Sequence, residues 1–513
     1  MKKIAVFAVI LMTLLQAKRV NDFAPENLGP NVNSEYEDRS PRISPDGNTL
    51  YFARNNHPQN PYFSQVDVTQ NIWVSEKNSE GEWGEAQLMT NVLNNGPVSF
   101  VTSVQPDGNT LLVGGVFKKG VYEGGAGFSI THRTENGWTP PDQIQVKDYQ
   151  EMVKGHRHNA QMTNDGHALV MSFSEESERT ANYDLYVSFK KKDGTWLRPK
   201  NLGEMINTPG FEYSPFMAAD GKTLYFASDR EGGKGGNDFY VTHRLDETWE
   251  NWSPPKNMGS YINTLEDETY FCLDASGEFA YIVSDNHSYG KGDIFKVMLK
   301  EEDRPGPVVL VKGKVFNAST NEPMKATIAY NDLFGTVELG NAISNPETGE
   351  YKIVLPYGKK YGFGANAEGF VASFSNVDLS DVKTYEEKTV NLYLHPLEEG
   401  QTIRLNNVFF DTGLFELKPE SNNELDKIYN LLIENPSMEI EVAGHTDNRG
   451  NPFDNKELSE NRASAVRKYL IAKGIASERV TPVGYGHTVP LVPNINEGNR
   501  QKNRRVEFTI LKK

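Results

Sequence analysis

Between residues 24 and 300, short apolar runs alternate with polar turns, and the alternation repeats. Leu50-Tyr51-Phe52, Leu111-Leu112-Val113, Leu169-Val170-Met171, Leu224-Tyr225-Phe226 and Ala280-Tyr281-Ile282 each follow a turn sequence. The turns are Ser44-Pro45-Asp46-Gly47, Gln105-Pro106-Asp107-Gly108, Thr163-Asn164-Asp165-Gly166, Ala218-Ala219-Asp220-Gly221 and Ala275-Ser276-Gly277. Positions 46, 107, 165, 220 and 276 are separated by 61, 58, 55 and 56 residues. Apolar runs this short, bounded by turn residues, predict strands. A second strand follows in four units, at Asn71-Ile72-Trp73-Val74, Asp184-Leu185-Tyr186-Val187, Asp238-Phe239-Tyr240-Val241 and Asp293-Ile294-Phe295. The first four units close on a Gly-rich turn and a tryptophan: Trp83, Trp138, Trp196, and Trp249 or Trp252. The Asp-Gly pairs suit turns that need a positive φ, which glycine adopts without steric cost. A four-stranded antiparallel unit recurring at this period predicts a propeller of about five blades over residues 24–300.

Beyond Pro305-Gly306-Pro307, which reads as a linker, residues 308–395 keep the strand pattern but lose the repeat. Gly313-Lys314-Val315, Thr348-Gly349-Glu350-Tyr351-Lys352-Ile353-Val354-Leu355-Pro356 and Gly369-Phe370 predict a small antiparallel sandwich. From residue 400 to 513 the period changes. A strand at Ile403–Phe410 precedes a helix near Ser421–Glu434, whose Leu425, Ile428 and Leu432 share one stripe. A strand at Met438–Ala443, a helix at Leu458–Lys473 stopped by Gly474, and strands at Val480–Val483 and Val506–Leu511 complete an α/β unit. The predicted fold class is therefore multidomain: an all-β propeller, a small β-sandwich, then an α/β module.

Composition sharpens this picture. A chain of 513 residues is too long for one hydrophobic core. An apolar share of 37%, with 11% aromatics and 44 glycines, suits strands and tight turns. Met1-Lys2-Lys3 and the apolar run Ile4–Leu15 read as an export signal ending near Ala17, too short to span a bilayer. No other run is apolar enough to cross a membrane as a helix. Cys272 is the sole cysteine, so no intramolecular disulfide forms. Net charge is −16, but residues 401–513 carry 16 Lys/Arg against 15 Asp/Glu, a net +1. The acidity lies upstream, which argues against nucleic acid or anionic lipid as partners there.

The densest chemistry is Gly444-His445-Thr446-Asp447-Asn448-Arg449-Gly450, continued by Asn455, Leu458-Ser459, Arg462-Ala463 and Asn503-Arg504-Arg505-Val506. Asp447 sits at a predicted strand end and Arg462 on the next helix. An acid and a base so placed suit a ligand with an ammonium and a carboxylate on one carbon. At 100° per residue, Leu458, Arg462, Ala465, Val466 and Tyr469 share one side of that helix. Arg462 then lies on an apolar stripe, where an unpaired guanidinium is costly and a carboxylate makes a two-point partner. The competing reading is a permanent Arg462–Asp447 salt bridge that only holds the fold.

Phe410-Asp411, Gly444-His445-Thr446-Asp447, Asn455, Leu458-Ser459, Arg462-Ala463, Gly484-Tyr485-Gly486 and Asn503-Arg504-Arg505-Val506 resemble the pattern of the OmpA C-terminal domain. The resemblance implies non-covalent binding of peptidoglycan through the diaminopimelate of its stem peptide. By it, Asp447 takes the ligand ammonium and Arg462 its carboxylate, with Asn455 and Arg504 lining the pocket. Asn448-Arg449 and Gly413 depart from the family pattern. Residues 24–300 resemble TolB-type PD40 propeller repeats, and residues 308–395 a carboxypeptidase regulatory-like domain.

Other candidates carry less. His156-Arg157-His158 lacks further ligands at metal spacing and reads as a solvated loop. Asp229-Arg230-Glu231-Gly232-Gly233-Lys234-Gly235-Gly236-Asn237-Asp238 lacks the phosphate-loop order and feeds a strand, so it reads as a hairpin loop. The repeated Asp residues are turn formers, the tryptophans pack between blades, and His445 is structural. No cofactor and no metal are expected. Two functional classes remain. One is a non-enzymatic protein of the periplasm, associated with the cell wall and outer membrane of a Gram-negative, Bacteroidota-like bacterium, holding an envelope protein on its propeller. The other is a propeller hydrolase that uses the C-terminal module as a wall anchor.

Overall fold

A computed structural model describes residues 23–63, 68–90, 92–177, 182–333, 338–371 and 373–513. The expected export signal, residues 1–17, lies outside these. The protein is mostly β with few helices, and it divides into two compact units. The first comprises the described residues up to 312, with 352–357 and 382–388; the second comprises those of 313–351, 358–381 and 389–513. Among the described residues no helix is long and apolar enough to cross a membrane.

In the first unit the sequence repeat becomes five antiparallel sheets. They begin with the strands Glu37–Ile43, Val101–Val104, Asn159–Met162, Glu212–Met217 and Glu268–Leu273. The first strand of each sheet lies beside the first strand of the next, and that of the fifth lies beside that of the first. Four sheets take their last strand from the sequence that follows. The fifth takes its from the other end of the chain, where Glu26 and Asn27 pair with Lys296 and Phe295.

The turn chemistry is as the sequence predicts. Gly47, Gly108, Gly166, Gly221 and Gly277 all sit at φ between 67° and 72°. Each donates its N–H to the carbonyl three residues back, as Gly47 does to Ser44 (2.8 Å) and Gly166 to Thr163 (2.8 Å). The aspartates brace the same turns: Asp107 accepts from the N–H groups of Asn109 (2.8 Å) and Thr110 (2.9 Å), and Asp220 from those of Lys222 and Thr223 (2.9 Å each).

The second strands are buried along their whole length, as Thr223–Ser228 is, or at all but their first residue, as in Thr49–Asn55 and Phe279–Ser284, because each sheet is covered on both faces. Trp138 meets Tyr51 of the preceding sheet edge-on at 6.4 Å between ring centres. Trp196 packs with Leu112 and Phe128 of the second sheet, and Trp249 and Trp252 with Val170 and Leu185 of the third.

A second repeat escaped the sequence reading. Asn94, Asn207, Asn263 and Asn33 each clamp one residue of a third strand by accepting its N–H and donating to its carbonyl. The clamped residues are Ile72 (2.8 and 3.1 Å), Leu185 (2.8 and 3.0 Å), Phe239 (2.8 and 3.1 Å) and Ile294 (2.8 and 2.9 Å). The local sequence in these four copies is an aliphatic residue, Asn, then Ser, Thr or Asn, and the clamps fall on four of the five sheets. Asn33 is the N-terminal copy, and it clamps the last sheet.

In the second unit, Thr327–Asp332 pairs with Glu338–Ile343 on one side and Lys360–Asn366 on the other, and Ser373–Asp378 extends the sheet. The expected sandwich is not wholly antiparallel. Val315, Phe316 and Asn317 pair in parallel with Leu392, Tyr393 and Leu394. Strands so far apart in sequence have the long crossover that parallel pairing requires.

The C-terminal module contains four strands, β1 (Thr402–Leu405), β2 (Glu439–His445), β3 (Val480–Gly486) and β4 (Arg505–Lys512), in the order β1-β4-β2-β3. Its helices are α1 (Asn422–Glu434), α2 (Pro452–Ala472) and α3 (Glu497–Asn503). Leu425, Ile428 and Leu432 of α1 are buried as predicted, against Ile440, Val442, Phe508 and Ile510 of the sheet and Ala463, Val466 and Leu470 of α2.

Two boundaries and the buried face of one helix depart most from expectation. The strand predicted to reach Phe410 ends at Leu405, because the next N–H groups turn away: that of Asn407 donates to Glu424 (2.6 Å). Helix α2 begins at Pro452, six residues before its apolar stripe, because Asn451 caps it by accepting the Phe453 N–H (2.8 Å) and proline suits the first helical position. Its buried face is Asn455, Ser459, Arg462, Ala463, Val466 and Leu470; Leu458, Ala465 and Tyr469 lie at the margin, half-buried.

Candidate functional site

The four residues singled out in the sequence gather where β2 ends and α2 begins. Glycines set that geometry. A Cβ on Gly444 would stand 2.1 Å from the Ser459 carbonyl oxygen, and one on Gly484 2.4 Å from the Glu460 nitrogen. Helix α2 therefore lies directly against β2 and β3, and the loop between β2 and α2 is pulled under it. Ser459 fixes the contact by accepting the Gly486 N–H (2.9 Å).

Asp447, 7% exposed, is the first residue of this loop to face the site. One oxygen accepts the Arg449 N–H (2.9 Å), and the other accepts from Arg504 Nη1 (2.6 Å). Arg504, the C-cap of α3, also pairs with Glu497 (2.8 Å), a residue that holds Arg449 (3.1 Å) and Arg500 (3.0 Å) as well. Asn455 donates to the carbonyls of Asp447 (3.3 Å) and Arg449 (2.9 Å), so it braces the loop from within α2.

Arg462 is 8% exposed and has no carboxylate in salt-bridge reach among the described residues. The Arg462–Asp447 salt bridge considered from the sequence is therefore not formed, because Arg504 occupies Asp447. Arg462 Nε donates to the Leu414 carbonyl (3.0 Å) and Nη2 to that of Asp411 (3.2 Å), with the guanidinium 5.0 Å from the centre of the Phe410 ring. Burial, then the charge of Arg504, pull its pKa down, against the opposing effect of Asp447. Main-chain acceptors satisfy the geometry of this group but leave its charge uncompensated. Gly413, at φ 75°, contributes backbone to the same 411–414 turn.

The neighbouring residues are supports. His445, 3% exposed, stacks on Tyr485 at 5.3 Å and lies 3.2 Å from Glu507. Glu507 also pairs with Arg505 (2.6 Å); burial opposes its ionisation, yet His445 and Arg505 hold its pKa down to about 2. Asn503, fully buried, was missed in the sequence. It accepts from the N–H groups of Leu491 (2.8 Å) and Val492 (3.0 Å) and donates to the Val492 carbonyl (2.7 Å), which sets the segment leading into α3. Its signal was the polar first position of the Asn-Arg-Arg run, read only for its charges.

Elsewhere, the Gly-rich stretch at 229–236 is the hairpin loop between Thr223–Ser228 and Asp238–His243. The His156-Arg157-His158 segment is a loop whose first two residues are exposed, whereas His158 is half-buried. It packs edge-on against Phe128 (5.7 Å) and Tyr149 (6.4 Å), and burial lowers its pKa to about 4. Among the described residues, no cluster of three or more His, Cys, Asp or Glu has metal-binding geometry.

A family model described as the OmpA family matches residues 409–504, the segment that contains this site. The chain is 37% identical over 102 residues to the peptidoglycan-associated lipoprotein of Pasteurella multocida, a match covering 20% of this chain and 68% of that protein. It is 37% identical over 112 residues to outer membrane porin F of Pseudomonas fluorescens, covering 22% of this chain and 34% of the porin. It is 36% identical over 105 residues to the probable lipoprotein YiaD of Escherichia coli K12, covering 20% and 48% respectively. The chain thus spans about a third of the porin's length and about half of YiaD's.

Proposed function

Through residues 409–504 the chain belongs to the OmpA family, and on that premise we propose that it is a non-enzymatic cell-envelope protein that binds peptidoglycan non-covalently, through the diaminopimelate of the stem peptide. The observation that carries this reading is the state of the two charges. Arg462 is a buried guanidinium without an anion, and the carboxylate nearest to it in role, Asp447, is held by the partly exposed side chain of Arg504. A zwitterionic head resolves both. Its carboxylate supplies the two-point partner of Arg462, and its ammonium takes over the oxygen of Asp447 that Arg504 occupies. Asn455 keeps the loop in place, and Arg504, released from Asp447, lines the pocket.

The names of the relatives support an envelope location: one is a peptidoglycan-associated lipoprotein and another an outer membrane porin. We place the protein in the periplasm, at the wall and outer membrane of a Gram-negative cell. The first unit is then a platform for a protein partner. Five sheets in sequence, the adjacency of their first strands and the N-terminal strand in the fifth sheet support a five-bladed propeller. Residues 308–395 serve as a carboxypeptidase regulatory-like spacer.

The test is co-sedimentation of the purified chain with peptidoglycan sacculi, beside Asp447→Ala and Arg462→Ala. Wild type pellets, and each variant loses at least about 30-fold in affinity, as expected when one partner of a desolvated charge contact is removed. Circular dichroism confirms that the variants remain folded. Folded wild type that stays in the supernatant overturns the proposal.

A further inference from the structure

Arg42 lies on the first strand of the first sheet, just past an irregularity between Arg39 and Arg42 where Ser40 adopts φ 53°. That irregularity turns the arginine inward, and it is 4% exposed. Its Nε donates to the Thr102 carbonyl (2.6 Å) and its Nη1 to that of Pro41 (2.8 Å). Burial lowers its pKa, and the groups whose charge acts on it are Cys272, Tyr270 and Tyr213, none a carboxylate. Arginine stays protonated even when desolvated, so this is a permanent buried positive charge with no carboxylate in salt-bridge reach among the described residues. Such a charge is costly unless a counter-charge accompanies it.

The guanidinium forms part of the wall of a cavity of about 50 Å³, with Ser103, Gln161, Phe216 and Cys272. That is several times the roughly 10–15 Å³ that admits one water. Two acids, Asp220 and Asp274, also border the cavity, but their carboxylates already accept hydrogen bonds from their own turns and, for Asp220, from Gly306. Asp220 accepts from Lys222, Thr223 and Gly306, and Asp274 from Ser276.

We infer that this cavity is a binding site for one small anion, of carboxylate or oxyanion chemistry, held by Arg42 inside the five-sheet unit. The volume fits a group the size of acetate or phosphate and excludes a folded peptide segment. The site is independent of the wall-binding reading, since all its residues lie in the first unit.

The test uses the full chain in chloride-free buffer, titrated separately with sodium acetate and inorganic phosphate, beside Arg42→Gln and Asp447→Ala. The melting temperature of wild type rises with the logarithm of anion concentration, as for any ligand that binds only the folded state. Arg42→Gln melts above wild type without anion, because the uncompensated charge is gone, and does not respond to either salt. Asp447→Ala responds as wild type does. Should Arg42→Gln fail to fold, wild-type crystals grown in sodium bromide decide: an anomalous peak beside the Arg42 guanidinium upholds the site. A bromide map with peaks only on exposed side chains, or identical salt dependence in wild type and Arg42→Gln, overturns it.

Discussion

Glu424 shows how far one residue can depart from what its position in the sequence suggests. It falls in the first turn of α1, where an acidic side chain ordinarily faces solvent and the helix dipole. Here it is 1% exposed and accepts the Asn407 N–H (2.6 Å). Burial raises its pKa to about 8, against the pull of that hydrogen bond and of Lys427. A carboxyl whose folded pKa exceeds its unfolded one is protonated in the folded chain where the unfolded chain has already lost its proton. Its contribution is complete below about pH 4.5 and declines as pH rises toward 8. Glu424→Gln removes this titration while keeping an oxygen for Asn407. Wild-type stability of the C-terminal module should then fall by about 1 kcal/mol per pH unit between pH 5 and 8 relative to the variant. Denaturant unfolding at pH 5, 6.5 and 8 reads the difference, and a constant gap across that range would exclude a buried neutral carboxyl.

At the scale of elements, the seating of α2 on β2 and β3 decides where the site residues end up. Gly444 and Gly484 permit a backbone approach that no other residue tolerates. Gly444→Ala must push α2 outward, and it should cost about 1–3 kcal/mol or more through overpacking. Gly498, inside α3 with only the Asn496 side chain within 4 Å, offers the same substitution with the opposite sign. Gly498→Ala should stabilise by about 0.5–1 kcal/mol through helix propensity. Thermal unfolding of the two variants separates close packing from propensity, and equal shifts would contradict the packing assignment.

This is also where legibility in the sequence stops. The apolar stripe of α1 and the strand pattern of the module were readable because periodicity records burial. The start of α2 was not, since its first turn is polar and depends on a cap. The acceptors of Arg462 are carbonyls of residues 411 and 414, and main-chain groups leave no trace in composition. Likewise, Asp447 and Arg462 were visible as an acid and a base, but the pairing of Asp447 with Arg504 depends on where α3 ends.

For the whole molecule, the order of the first unit rests on a pair of contacts between residues about 260 positions apart. Asn33 clamps Ile294, and Glu26–Asn27 supplies the outer strand of the fifth sheet. The internal clamps, such as Asn207 on Leu185, join neighbouring units of sequence. Removing any one leaves a buried N–H and carbonyl unpaired, at a cost of about 1–3 kcal/mol. What differs is how the damage spreads. In the proposed ring, Asn33→Ala weakens the closure that Glu26–Asn27 also makes, so the first and fifth sheets lose part of their mutual support together. In an open row of sheets, the same change loosens only the fifth. Hydrogen exchange should therefore show Asn33→Ala accelerating both Glu37–Ile43 and Glu268–Leu273, whereas Asn207→Ala accelerates the third and fourth sheets and leaves those strands protected. If Glu37–Ile43 keeps wild-type protection in Asn33→Ala, the first unit is a row and the propeller reading fails.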